Sequence, residues 1–322
     1  MTGHRANVAP TTTPTPPAAP VPAASKLRAA ATLLVAAAIL ASAAPGLAQD
    51  APPGTDIFVV DVALRDGRLA VGAVRNITAR PGYDNQPFFS PDGRSVYFSS
   101  IRNGDQPDIY RYDLDSGTTV QVTRTPEGEY SPTPLPDGGI SVVRVEADGT
   151  QRLWRFSADG TNPTLVLPGI APVGYHAWGD DNTLALFVLG DPHMLQIADV
   201  RTGEAATLAH DIGRSLHRIP GQRAISFVHR EDGKAWIKRL DLATREAQVI
   251  TPVVGSAEDY AWLPDGSLLM GQGSKLYRFD PASDSDWREL ADLAAHGIDG
   301  ITRIAVSPDG ARIAVVAAGP GR

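Results

Sequence analysis

Residues 90–93 read Ser-Pro-Asp-Gly, and the same four residues recur at 307–310. Proline fixes φ at the first corner of a turn, and Asp-Gly supplies residues that tolerate the left-handed backbone of a tight hairpin. More divergent copies lie at 135–138, 179–182, 219–222 and 263–266. The third positions of the six copies are 45, 44, 40, 44 and 44 residues apart. This period predicts a four-stranded propeller blade, which takes roughly 40 to 45 residues.

Segments with strand character flank each copy. The following segment is apolar and rich in β-branched and aromatic residues, as in 95–99 (SVYFS) and 312–316 (RIAVV), which predicts a strand buried on both faces. A third segment alternates polar and apolar residues, as in 108–114 (DIYRYDL), which is typical of a half-exposed strand. A fourth segment, such as 119–123 (TVQVT), closes each unit.

The two ends of the repeat region decide the blade count. The last copy, 307–310, joins only a first and a second strand, without a third or a fourth, whereas 56–62 fits the third-strand pattern and 74–78 fits the fourth. Five whole units and one composite unit therefore predict an all-β, six-bladed propeller whose closing blade is shared between N- and C-terminal strands. Joining both ends in one blade leaves no open sheet edge.

One unit carries the fullest repeat pattern: DxQPxxSPDG at 84–93, YFSSxR at 97–102, DIY at 108–110 and VT at 122–123. This pattern resembles the TolB-type, WD-like propeller repeat with its Pro-Asp turns, and the resemblance covers about residues 56–318. It implies the propeller fold. It leaves the function open, because similar blades occur in TolB proteins, in the propellers of prolyl oligopeptidase relatives and in some polysaccharide lyases.

The N-terminal region has the features of an export signal. Lys26 and Arg28 precede the apolar run at 29–44, which is too short for a typical membrane span, and small residues follow it. We predict cleavage after Ala48, with a retained membrane anchor as the alternative. The predicted organisation is a Pro/Thr/Ala-rich unfolded leader at 1–25, a signal peptide at 26–48, a linker at 49–55 and the propeller at 56–318. The protein is therefore expected to be bacterial, and periplasmic or secreted.

Composition limits the partners. The chain of 322 residues has no cysteine, which excludes disulfides and thiolate metal sites. Removing 1–48 removes three basic residues and no acid, so the formal net charge falls from −7 to −10. An acidic surface repels phosphate backbones, so we expect no nucleic-acid partner. We also expect no cofactor, no stable membrane span after signal removal, and a monomer.

Few motifs point to catalysis. The sequence has no Gly-x-Ser-x-Gly of a hydrolase and no His-Glu-x-x-His of a zinc peptidase. His176 and His217 lie one register apart near the start of neighbouring inner strands, with Asp259 close by on the next blade. If these three side chains converge, a carbohydrate-active propeller, either an oligosaccharide lyase or a sugar binder, is the alternative function.

The expected binding surface is the mouth of the central channel, where loops lead into the innermost strands. Alignment of the six units places polar, charged and aromatic residues there: Asp84, Asn85, Gln86, Glu129, Tyr130, Tyr175, His176, Ser215, His217, Asp259, Tyr260 and Arg303. This composition suits peptide or sugar recognition. The sequence therefore predicts a non-enzymatic scaffold that binds a protein or peptide partner in the cell envelope.

Overall fold

The computed structural model describes residues 54–65 and 68–319. Within them, twenty-four strands form six antiparallel sheets of four strands each. The first strands of the six sheets contact one another in a closed circle, so the predicted six-bladed propeller is confirmed. The predicted leader, the signal peptide with its cleavage site after Ala48, and nearly all of the linker lie outside the described residues.

The strands follow the order that the repeat predicted. The chain begins with β1 (Asp56–Arg65) and β2 (Arg68–Asn76). Blade 1 contains β3 (Asp84–Phe89), β4 (Ser95–Ser100), β5 (Asp108–Asp113) and β6 (Thr119–Gln121). Blade 2 contains β7 (Gly128–Pro134), β8 (Ile140–Val145), β9 (Gln151–Phe156) and β10 (Thr164–Val166). Blade 3 contains β11 (Val173–Trp178), β12 (Thr183–Val188), β13 (Met194–Asp199) and β14 (Ala205–His210).

The second half of the ring repeats the same plan. Blade 4 contains β15 (Ile212–Arg218), β16 (Ala224–Glu231), β17 (Lys234–Asp241) and β18 (Ala247–Pro252). Blade 5 contains β19 (Tyr260–Trp262), β20 (Leu268–Gln272), β21 (Lys275–Phe279) and β22 (Arg288–Asp292). A short 3-10 helix, Ala294–His296, precedes β23 (Arg303–Val306) and β24 (Arg312–Ala317).

Blade 6 is the composite blade. Its strand order is β2-β1-β24-β23, so the N-terminal strands pair with the C-terminal ones. The antiparallel register between β1 and β24 runs from Asp56 opposite Ala317 to Asp61 opposite Arg312. The prediction that both ends of the repeat region share one blade is therefore confirmed.

The Ser-Pro-Asp-Gly turns have the local geometry that their residues favour. Ser90 Oγ donates to Asp92 Oδ1 at 2.5 Å, and the N–H of Arg94 donates to the same oxygen at 3.0 Å. These hydrogen bonds lower the pKa of Asp92, the one from Ser90 most. Gly93 has φ 70°, a left-handed value that other residues adopt only with strain. The turn is thus specified by its own side chains.

The core lies between the blades. All six residues of β4 are buried, as expected for a second strand with sheets packed on both sides. Along β1, Ile57 and Val59 pack in a cluster with blade 1, whereas Phe58 and Val60 pack in a cluster with blade 5. Successive side chains of a strand point to opposite faces. A single strand therefore packs against the blade on each side of its own. Full burial of one such side chain contributes roughly 1.5–3 kcal/mol.

In the part of the chain that the structure describes, none of the helical segments has the length and apolar character needed to cross a membrane.

Candidate functional site

The inner strands of the six blades surround a central channel that contains a cavity of about 710 Å³. Near the start of each inner strand, at the same register, one side chain lines this cavity. We call these residues the mouth ring: Gln86, Ser131, Tyr175, Ser215, Asp259 and Arg303. Five of the six were predicted from the alignment of the repeats, and Ser131 was missed in favour of its neighbour Tyr130.

Arg303 crosses the channel. Its Nη2 donates to the hydroxyl of Tyr175 at 2.9 Å, and its guanidinium carbon lies 5.1 Å from the centroid of that ring. Arg303 belongs to blade 6 and Tyr175 to blade 3, which are opposite each other in a ring of six. The interaction therefore spans the mouth and narrows it.

A shared carboxylate holds two cations at the mouth. Asp259 Oδ2 accepts from Arg214 Nε at 2.8 Å and lies 3.4 Å from Arg303 Nη1. Arg214 also donates from Nη2 to the backbone carbonyl of Thr302 at 3.0 Å. Two guanidinium groups share one carboxylate, so this group of side chains carries a net positive charge in an acidic protein.

A second cavity of about 380 Å³ lies beside blades 5 and 6. Arg214, Asp259 and Arg303 line this cavity as well as the central one. These three side chains therefore form the wall between the two cavities.

Two bulges orient part of the mouth ring. Gln86 and Ser131 have φ values of 56° and 53°, and the strand register shifts at both positions. A bulge re-aims a side chain and frees backbone groups from the ladder. Gln86 Oε1 accepts from Ser131 N at 2.8 Å and from Ser99 Oγ at 2.9 Å, so it links blade 1 to blade 2.

Asp84 lies beside the mouth but is completely buried. Its carboxylate accepts from Ser100 Oγ at 2.5 Å and from Arg80 at 2.8 Å, and Arg102 lies 3.6 Å away. Burial raises the pKa of Asp84, whereas these partners oppose the rise. Since no surface of Asp84 is exposed, it organises the blade 1 loops and does not contact an incoming ligand in this conformation.

Glu129 is also completely buried. Thr125 Oγ1 donates to Glu129 Oε1, and Arg144 Nε lies 3.5 Å from the same oxygen. The other oxygen, Oε2, has no partner among the described residues. Burial raises the pKa of Glu129 to about 7, so this carboxyl changes its charge near neutral pH.

The two predicted histidines are neutral wall residues. Ser141 Oγ lies 2.7 Å from His176 Nε2, and the ring of His217 packs against Tyr260 at 4.8 Å between centroids. Burial lowers the pKa of His176 to about 3 and that of His217 to about 4. Both line the central cavity, as does Asp259. No group of three or more metal-ligating side chains occurs among the described residues.

The three predicted tyrosines differ in accessibility. Tyr260 is completely buried, and its hydroxyl donates to Ser226 Oγ at 2.8 Å. Tyr130 and Tyr175 are half-buried, as is Asn85. Tyr83 was not predicted; burial raises its pKa, and the nearby charge of Arg303 opposes this rise. Tyr83 precedes the first inner strand, so register counting along the strands did not find it.

Arg214 and the two cavity-lining tryptophans, Trp178 and Trp262, were also missed. Arg214 lies at a position where the other blades carry unlike residues, so the repeat gave no signal. The tryptophans lie at the end of their inner strands, where register alone would have placed them on the channel wall.

Known proteins match short segments of this chain by sequence and most of the chain by structure. No protein-family model matches the chain. A segment of 78 residues, 24% of this chain, is 35% identical to an uncharacterized protein of Agrobacterium fabrum, of which it covers 26%. A segment of 44 residues, 14% of this chain, is 52% identical to the Tol-Pal system protein TolB of Bordetella pertussis, of which it covers 10%. The matched segments thus span about a quarter or less of these curated relatives.

Solved structures match most of the chain at low identity. A putative TolB from Agrobacterium tumefaciens matches with TM-score 0.64 and 17% identity over 82% of this chain and 98% of that one. TolB from Acinetobacter baumannii matches with TM-score 0.52 and 15% identity, over 82% and 64%. An oligogalacturonate lyase in complex with manganese matches with TM-score 0.54 and 15% identity, over 82% and 86%.

At these identities the structural likeness establishes the fold. The molecule is an all-β propeller of six four-stranded blades closed by a composite blade. Its fold is similar to those of the TolB structures, so the TolB-like propeller fold predicted from the Pro-Asp repeat is confirmed.

Proposed function

We propose that the chain is a protein- or peptide-binding scaffold of the bacterial cell envelope and that the partner binds at the mouth of the channel. The observation that carries the proposal is the mouth ring, to which every blade contributes one side chain. A rigid ring that presents residues from six blades loses little conformational entropy on binding. The 52% identity of a short segment to a Tol-Pal system protein supports an envelope role, as does the predicted signal peptide.

The chemistry of the mouth suits a polar partner segment. Tyr175 in the mouth ring and Tyr130 next to Ser131 offer half-buried aromatic surface, and Arg303 offers a charged group where it bonds to Tyr175 across the ring. Tyrosine and arginine dominate the binding energy of many protein interfaces. We therefore expect the partner to lie across blades 2, 3 and 6.

Capture followed by calorimetry tests this proposal. The full-length protein is used to capture partners from envelope extracts, and a recovered partner is titrated against the wild type and the variants Tyr130→Ala and Arg303→Gln. We expect each variant to weaken binding by about 1–3 kcal/mol. Arg201→Gln is the control, because Arg201 is an exposed turn residue that lines neither cavity.

Two results would argue against the scaffold at the mouth. Unchanged affinity in both variants would move the partner to another surface. Metal-dependent cleavage of an acidic polysaccharide, abolished by His176→Ala or His217→Ala, would support the alternative of a carbohydrate-active propeller.

A further inference from the structure

The far end of the channel is lined by a second ring of side chains. The last residue of each inner strand contributes to the wall of the central cavity: Phe89, Pro134, Trp178, Arg218, Trp262 and Val306. Strand β15, which ends at Arg218, contacts both β11 and β19. Trp178, Arg218 and Trp262 therefore lie on three consecutive blades at the same level, and we call them the Trp–Arg–Trp wall.

Both tryptophans are held in place by the same arrangement. Trp178 Nε1 donates to Ser141 Oγ at 3.0 Å, and Trp262 Nε1 donates to Ser226 Oγ at 2.8 Å. Each serine is completely buried in the second strand of the preceding blade. With the indole N–H groups already bonded, the surface that these half-exposed rings offer to the cavity is flat and apolar.

Arg218 is different from the other arginines of the cavity wall. Arg155 is paired with Asp137, and both Arg214 and Arg303 share Asp259. The side chain of Arg218 is exposed and has no hydrogen bond or ion pair within the described part of the chain. Its five N–H donors are therefore available for a ligand.

We propose that the Trp–Arg–Trp wall binds a small carboxylate that carries a flat ring, with the ring against the indoles and the carboxylate on Arg218. Arginine pairs with carboxylates through two parallel hydrogen bonds, and tryptophan faces bind flat apolar surfaces. A cavity of about 710 Å³ falls within the range of roughly 300–1,000 Å³ found for small-molecule sites. The site lies in the same cavity as the mouth ring, but it uses none of the mouth-ring residues and therefore does not require the proposed partner.

Aromatic acids have this chemistry, and sugar acids share the carboxylate but carry it on a puckered ring of which only the C–H face can pack on an indole, so one representative of each is titrated into the full-length protein. Benzoate is compared with benzamide, and galacturonate with galactose, because each pair differs mainly in the negative charge. Calorimetry gives the affinity, and quenching of tryptophan fluorescence reports contact with the indoles. We expect at least one acid to bind at least tenfold more tightly than its neutral counterpart, since a charge-assisted pair is worth roughly one such factor.

Variants decide whether the wall is the site. Arg218→Gln is expected to weaken binding of the acid about tenfold, and Trp262→Leu is expected to weaken it without removing the preference for the acid. Asp181→Asn is a second informative change, because Asp181 is an exposed carboxylate that lines the same cavity. Its removal should leave binding unchanged or strengthen it.

Arg201→Gln serves again as the control, since Arg201 is also exposed but lies outside the cavity. A melting curve for each variant separates loss of binding from loss of fold. The proposal is overturned if neither acid binds more tightly than its neutral counterpart, or if Arg218→Gln binds the acid as tightly as the wild type.

Discussion

The contact between Arg303 and Tyr175 is the one polar interaction of the mouth ring that joins opposite blades, among the residues described. Tyr175→Phe removes only the hydroxyl that accepts from Arg303 Nη2 at 2.9 Å. We expect the free energy of unfolding to fall by about 1 kcal/mol, the usual net value of such a hydrogen bond. Denaturant titration measures this change.

Tyr277→Phe is the control for that experiment. Tyr277 is half-buried in β21, and its hydroxyl makes no hydrogen bond within the described residues. We expect no measurable change in this variant. Equal stability of the two variants would mean that the bridge across the mouth is not maintained in solution.

The buried carboxyl of Glu129 makes stability depend on pH. Because burial raises its folded-state pKa from the usual value of 4.5 to about 7, the folded protein binds this proton more tightly than the unfolded chain. The contribution of Glu129 to stability is therefore fully present below about pH 4.5 and is lost as pH rises through about 7. Glu129→Gln should stabilise the protein at pH 8 by up to about 3 kcal/mol.

The stability of Glu129→Gln must be compared with that of the wild type at each pH, because His176 and His217 change stability with pH in the opposite direction. Their folded-state pKa values are lowered to about 3 and about 4, so their contribution is present above pH 6.5 and is lost as pH falls. The free energy of unfolding of the wild type is subtracted from that of Glu129→Gln at pH 5 and at pH 8. This difference cancels the contribution of both histidines. Glu204→Gln, a change at an exposed carboxylate of blade 3, should leave this difference near zero. A gain for Glu129→Gln that is no larger at pH 8 than at pH 5 would contradict the prediction.

At the scale of the strand and turn, Gly93 is the residue of its turn whose backbone conformation most favours glycine. Its φ of 70° is left-handed, and a Cβ added there would meet only Pro308 at an ordinary contact distance of 3.5 Å. The cost of Gly93→Ala therefore comes from the backbone conformation. We expect the free energy of unfolding to fall by about 1 kcal/mol. Thermal unfolding monitored by calorimetry measures it.

Gly169→Ala is the matched control, because Gly169 is exposed, has no positive φ and would place its new Cβ in open space. We expect this change to be neutral or to stabilise the protein by up to about 1 kcal/mol, since alanine restricts the unfolded chain. If both variants unfold at the same temperature, the left-handed conformation at Gly93 does not contribute to stability as predicted.

Most of the fold could be predicted from the sequence because the turns are local devices. Ser90 and Asp92 bond to each other and to the adjacent backbone, so four residues are enough to specify the geometry. The first hairpin was predicted less completely. The predicted fourth strand at 74–78 corresponds to β2, which already begins at Arg68. The dipeptide Asp66-Gly67 directly before that strand is a hairpin-turn signal, but it lies outside the Pro-Asp repeat from which the strands were predicted.

The candidate site was predicted in position but not in accessibility. Register along the inner strands places Tyr175, Asp259 and Arg303 on the channel wall, and the structure brings them into contact. The same counting placed Glu129 and Tyr260 at the mouth, where both are completely buried. Their burial depends on side chains of neighbouring strands and blades, such as Arg144 and Ser226, which the alignment of repeats does not contain.

The whole molecule depends on closure of the ring through blade 6. Deleting residues 300–322 removes β23 and β24, which exposes the edge of β1 and uncovers apolar residues such as Ile57 and Val60. We expect the shortened protein to aggregate or to lose cooperative unfolding. Light scattering and a melting curve measure both outcomes.

A circular permutant is the control for the deletion, because it also alters the chain ends but keeps blade 6 intact. Joining residue 319 to residue 54 with a short linker and opening the chain between Thr202 and Gly203, in the turn between β13 and β14, retains every strand of blade 6. This protein should unfold cooperatively, because chain ends that lie close together tolerate permutation. A shortened protein that melts like the permutant would contradict a structural role for the composite blade.

The pairing of β1 with β24 also gives the ring a weak direction under mechanical load. Asp56 lies opposite Ala317, so force applied at residues 54 and 319 pulls on the same end of the ladder and breaks its hydrogen bonds one after another, as a zipper opens. Force applied at residues 54 and 311 instead acts along both strands and loads those bonds together in shear. Since the chain has no native cysteine, single cysteines at these positions can carry the handles for optical tweezers. We expect the first geometry to open at a clearly lower force, with the composite blade detaching before the other five.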